Sequence, residues 1–282
     1  MKREILKDQL LLDSAISEST GSKHKSSIPQ MKGILYQKFD DGYGNTIMKK
    51  IGENTVVVGG AIEALEHLVN IDANWKPKTL NEIYNINASV ASSNMESYIA
   101  LFGVGVGGSS LTFGALAEKD IKRRDVPDLI PLRVNSSLTG VDANKYFFKK
   151  DNEDGTFNWY LKEFASTPII KTCWKDSADD EVDGTEVTDE IFDSKRTEGL
   201  QTFAEFTLDL NTKDVREYYE SIGSLSTARY NSIGLYIGQK KELPNGDTDY
   251  VNVRLFSYLN IDNKSVRIKV ASQYIYRVLS LV

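Results

Sequence analysis

The sequence predicts a β-rich α+β fold: an antiparallel β-sandwich or barrel-like core carrying a few helices, long loops and an extended N-terminal arm. Three observations carry this. Residues 203–210, 232–237, 250–256, 265–270 and 273–278 alternate apolar and polar side chains, which puts one set on each face of a pleated strand. Turns separate these runs, as expected of antiparallel neighbours. Helical periodicity is confined to short stretches, and no repeat of solenoid or propeller length is visible.

The elements follow in chain order. Residues 1–55 read as an arm and loops: an apolar-rich stretch (Ile5, Leu6, Leu10, Leu11, Leu12) passes into residues 17–27, too polar to bury. Gly33, Gly42, Gly44 and Gly52 then favour turns over regular structure. Residues 56–282 form the main domain. Within it, residues 56–58 suit a strand, and 61–69 place Ala61, Leu65, Leu68 and Val69 on one helical face. Thr79 and Glu82 have the spacing of a capping box and open a second short helix. Residues 129–165 read as two or three strands with aromatic clusters, and 212–221 as a helix interrupting the final sheet. An acidic loop insertion is expected around residues 176–199.

Composition excludes several function classes. With 282 residues, 40% of them apolar, the chain can bury a large core. A formal charge of -6 gives no global attraction to nucleic acid or anionic lipid. A single cysteine, Cys173, excludes an intramolecular disulfide framework and a cysteine-based zinc cluster. The first ten residues have charges scattered through them, so a secretory signal is not expected, and no apolar run approaches the ~18 residues of a membrane span.

Motifs for chemistry are weak. Gly103, Gly105 and Gly108 formally satisfy the dinucleotide fingerprint after an apolar run, yet another glycine and no long amphipathic helix follows. A glycine-rich structural loop or bulged strand is the better reading, and no cofactor is expected. Residues 176–193 hold nine acidic and no basic side chains. Asp179, Glu181, Asp183, Gly184 and Glu190 approach the spacing of an EF-hand calcium loop. Glu181 at the third position, Glu186 at the eighth and the absence of flanking helical periodicity favour a solvated loop. Lys119, Lys122, Arg123 and Arg124 form a basic counterpart without interleaved aromatics, a poor nucleic-acid surface. His24 and His67 stand apart from any partner at ligand spacing, so a triad or histidine metal site has nothing to draw on. No catalytic residue is expected.

Residues 130–134, 146–150, 159–164, 231–236 and the ending from Val253 to Arg277 together resemble virion structural proteins of tailed bacteriophages, over roughly residues 100–282. The resemblance implies a neck, head-tail connector or tail-completion component, assembled in the host cytoplasm and resident in the virion. It implies a homo-oligomeric ring, contacts with other neck, tail or capsid proteins, no membrane and no sequence-specific nucleic acid. Lys122, Arg123 and Arg124 on one side and Asp179, Asp180 and Asp183 on the other are the candidate complementary edges. The alternatives are a capsid-associated or decoration protein, a carbohydrate- or receptor-binding β module using Trp159 and Tyr160, and a nucleotide-binding enzyme using Gly103 to Gly108.

Overall fold

The computed structural model describes residues 31–40, 43, 45–87, 96–106, 109–112, 115–118, 129–142, 144–174, 185–187, 200–242, 246–266 and 271–280. The strands are β1 (Met31–Asp40), β2 (Thr46–Thr55), β3 (Tyr98–Gly105), β4 (Ser109–Thr112), β5 (Ala115–Glu118), β6 (Arg133–Asn135), β7 (Tyr146–Asp151), β8 (Phe157–Glu163), β9 (Ile169–Trp174), β10 (Thr185–Glu186), β11 (Leu200–Leu210), β12 (Arg229–Glu242), β13 (Thr248–Ser265) and β14 (Ser272–Ser280). The helices are α1 (Val58–Val69), α2 (Leu80–Tyr84) and α3 (Arg216–Ser221).

Two antiparallel sheets face one another. The first has six strands in the order β10-β9-β11-β14-β1-β2; the second runs β13-β12-β3-β8-β6, with β7 also pairing β8. Both sheets have ends, so the fold is a sandwich and not a closed barrel. β4 and β5 make a separate hairpin. The main core lies between the sheets, with Leu35, Leu208 and Tyr276 from the first meeting Phe102, Leu235 and Phe256 from the second. Two hydrogen bonds cross this core, Tyr230 Oη to Tyr274 Oη at 2.6 Å and Ser257 Oγ to Tyr276 Oη at 2.7 Å. Buried hydroxyls that find each other in this way fix how the sheets register, since neither can be left unpaired cheaply.

The alternation in the last third marks real strands, but their limits differ. Residues 250–256 and the start of 265–270 belong to one strand, β13, which continues through Leu259 and Ile261 because their side chains keep filling the core. Residues 31–40 and 46–55 form β1 and β2 of the six-stranded sheet where turns were expected. Their glycines do not break them: Gly52 faces Leu259 so closely that an added Cβ would lie 2.6 Å from its Cδ2. Residues 56–58 do not make a strand of their own. Val56 forms a single bridge to Ser257 and α1 begins at Val58. The capping box is present, Thr79 accepting from the Glu82 N–H and Glu82 accepting from the Thr79 N–H. The predicted 212–221 helix is α3, shortened because Val215 adopts a positive φ just before it.

Gly103 lies within β3, opposite Gly234 of β12. A Cβ there would lie 2.8 Å from Leu161 Cδ2, so the glycine serves close packing between strands. Gly107 and Gly108 fall outside the described residues.

Candidate functional site

The densest polar cluster is buried, where β6, β7 and β8 meet the turn after β11. Leu161 on β8 and Tyr146 on β7 are buried, and so are the charged Lys162 on β8 and Arg133 on β6. Lys162 Nζ donates to Asp214 Oδ2 at 2.8 Å and to the Asp209 carbonyl at 2.6 Å. Tyr146 Oη donates to Asp214 Oδ1 at 2.6 Å, and Asn211 Nδ2 donates to Tyr146 Oη. Beside them Arg133 makes a forked contact with Glu217 on α3 and a further bond to Asp142 at 2.7 Å. Burial pushes the Asp214 carboxyl above its ordinary value against the pull of Lys162, and raises the Tyr146 hydroxyl together with the Asp214 charge. Burial opposes ionisation of Asp142 too, but Arg133 outweighs it and holds that carboxyl low. Each charge is spent on a partner in the same chain, so the cluster clamps the second sheet to β11 and α3.

A second buried carboxylate fixes the other end. Asp249 Oδ1 accepts from the Phe148 and Tyr250 N–H groups, while Oδ2 accepts from Asn87 Nδ2. Phe148 is fully buried with φ 62, a conformation costly for a bulky side chain, and the Asp249 bond holds it there. Burial raises the Asp249 carboxyl above its ordinary 3.8. A carboxyl raised in the folded state makes its contribution fully below the unfolded value and loses it as pH rises through the folded one. Wild-type stability minus that of Asp249→Asn is therefore expected to fall as pH rises above 4, when read by urea unfolding between pH 3 and 8. A difference independent of pH would contradict this.

The outward surface is of another kind. α1 contacts β13 through Gly59 and Gly60; a Cβ on Gly60 would clash with the Phe256 carbonyl. Glu63, on the same side, pairs with Arg254 at 2.8 Å. With this narrow side turned inward, the face predicted from Ala61, Leu65, Leu68 and Val69 turns outward, and Leu68 is 80% exposed. Val69 and Ile71 continue the patch, and Trp75 and Ile83 are exposed in the segment beyond. Helical periodicity identified this stripe; what it lacked was the glycine pair, which decides which side meets the sheet. Further exposed apolar groups sit on β1 and β2 at one end of the six-stranded sheet and on β9, next to the other end. Phe39 and Ile47 face each other across β1 and β2, and Ile169 and Ile170 lie on β9. Neither pair was singled out in the sequence, because β1, β2 and β9 were not recognised as strands.

The charged candidates Lys122, Arg123, Arg124, Asp179, Asp180, Glu181, Asp183 and Glu190 lie outside the described residues. His67 is exposed on α1. Tyr160 is buried, and Trp159 is half-buried with the Lys149 ammonium 5.3 Å from its ring, so these rings do not make an open sugar platform. Among the described residues no group of three or more His, Cys, Asp or Glu side chains is placed to hold a metal ion. Among them also, no helix is long and apolar enough to cross a membrane. Comparison with family models, curated proteins and solved structures gave no match.

Proposed function

We propose that this chain is a structural subunit that works by assembling with other proteins, as a neck, connector or tail-completion component of a tailed-bacteriophage virion. The observation that carries the assembly reading is the outward apolar stripe of α1, with Leu65, Leu68 and Val69 all exposed. A monomer in water gains nothing from holding such a stripe away from its core, whereas an interface does. The buried ionic clusters supply rigidity to the subunit and offer no outward acid, base or nucleophile. The virion setting comes from the sequence resemblance over residues 100–282.

Sedimentation of the full chain over a range of concentrations tests this. The expected result is a discrete oligomer. Leu68→Glu is expected to weaken association at least tenfold while the unfolding midpoint moves by no more than a few degrees, because the side chain is 80% exposed in the subunit. An unaltered association constant would remove α1 from the interface.

A further inference from the structure

We propose that Lys162 and Asp214 condense in the folded chain to an intramolecular isopeptide bond, an amide between Lys162 Nζ and Asp214 Cγ that ties β8 covalently to the turn after β11. The proposal goes beyond the assembly reading and does not depend on it. Geometry supplies the first argument. Lys162 Nζ lies 2.8 Å from Asp214 Oδ2 and is steadied by the Asp209 carbonyl at 2.6 Å. Both side chains are almost completely removed from water, with relative exposures of 7% and 1%. An amine and a carboxyl held in contact in this way react as if at very high concentration. Arg133, Arg254 and Arg277 also pair with carboxylates largely away from water, but a guanidinium stays protonated and is no nucleophile.

The surroundings supply the second argument. Tyr146 Oη donates to Asp214 Oδ1 at 2.6 Å, and the Asn211 N–H donates to Oδ2 at 2.9 Å. One donor thus faces the oxygen that takes up charge when the carboxyl carbon is attacked, and the other faces the oxygen that leaves. Burial pushes the Asp214 carboxyl towards its neutral form, and two opposite charges held out of water favour a change that removes both.

The step balances without a co-reactant. A proton passes from the Lys162 ammonium to Asp214 Oδ2, leaving an amine and an acid. The nitrogen lone pair adds to Cγ, forming the N–C bond, and the C=O pair moves onto Oδ1 against the Tyr146 hydroxyl. The C–Oδ2 bond then breaks as the Oδ1 pair re-forms the carbonyl; Oδ2 takes a second proton from nitrogen and departs as water. An ammonium and a carboxylate have become one amide and one water, so the ion pair is the state of the newly folded chain. Because β8 belongs to one sheet and the turn follows a strand of the other, the amide staples the sandwich across 52 residues of chain.

Mass spectrometry of the intact full chain, unfolded in urea beforehand, tests this. Wild type is expected to be one water lighter than its sequence, and proteolysis should yield a branched peptide joining the segments that contain Lys162 and Asp214. Lys162→Arg is expected at its full sequence mass. Tyr146→Phe should cross-link about tenfold more slowly, read as the fraction converted at equal times after synthesis; an equal rate would remove Tyr146 from the step. Wild type at full sequence mass after prolonged incubation near neutral pH would overturn the proposal. A lost water confined to the Asp214 segment, or one that persists in Lys162→Arg, would overturn it too, because an aspartate closing on its own backbone loses the same mass. If Lys162→Arg fails to fold, the branched peptide from wild type alone decides the outcome.

Discussion

Removal of residues 271–282 is expected to leave no cooperatively folded protein. β14 is one of the two middle strands of its sheet, paired along its length with β1 on one side and β11 on the other. It brings Tyr274, Ile275, Tyr276, Val278 and Leu279, all buried, into the molecule. Burying one such side chain contributes about 1.5–3 kcal/mol, so the five together are on the scale of the ~5–15 kcal/mol that separates a folded domain from its unfolded chain. Both neighbouring strands would also be left with exposed edges, which favours aggregation. Circular dichroism and thermal unfolding of the truncated chain check this; a sharp transition like that of the full chain would show β14 to be dispensable.

Lys162→Met should be the most damaging single substitution in the buried clusters. Lys162 and Asp214 are both almost fully buried, and removal of one member leaves the other without its counter-charge, a loss of about 3–5 kcal/mol. Asp214 keeps the Tyr146 hydroxyl and the Asn211 N–H as donors, so part of the cost is met by protonation of the carboxyl as pH falls. The destabilisation should accordingly grow from pH 5 to pH 8. Asp214→Asn in the same chain removes the orphaned charge and should recover a large part of the loss. A cost for Lys162→Met under ~1 kcal/mol, or no recovery in the double variant, would mean that the ion pair does not fasten β8 to the turn after β11.

Much of the architecture could be read from the sequence, and the parts that could not share a physical cause. β11, β12, β14 and most of β13 announce themselves through runs rich in apolar, β-branched and aromatic residues; β11 alternates because it buries mainly one face, whereas β12 and β14 are buried on both. The α2 capping box is equally local. β1 and β2 escaped recognition because Gly33 and Gly52 mimic turns; Gly52 is a glycine because Leu259, far along the chain, occupies its side-chain space. The same holds for α1. Its stripe is visible in the sequence, but its outward direction depends on Gly60 meeting Phe256. The ion pairs that tie the strands together in the buried clusters are long-range, with Lys162 and Asp214 52 residues apart and Arg133 and Glu217 84 apart. Among so many carboxylates, no local pattern distinguishes the partners.

The most direct measurement is the native mass of the full chain. A subunit of an assembled ring should appear as one species at a single integer multiple, three or more, of 31.6 kDa, and as a closed ring in images taken at the same concentration. A mass of 31.6 kDa at every concentration would contradict the account, because the exposed apolar stripe of α1 would then face water in the working protein.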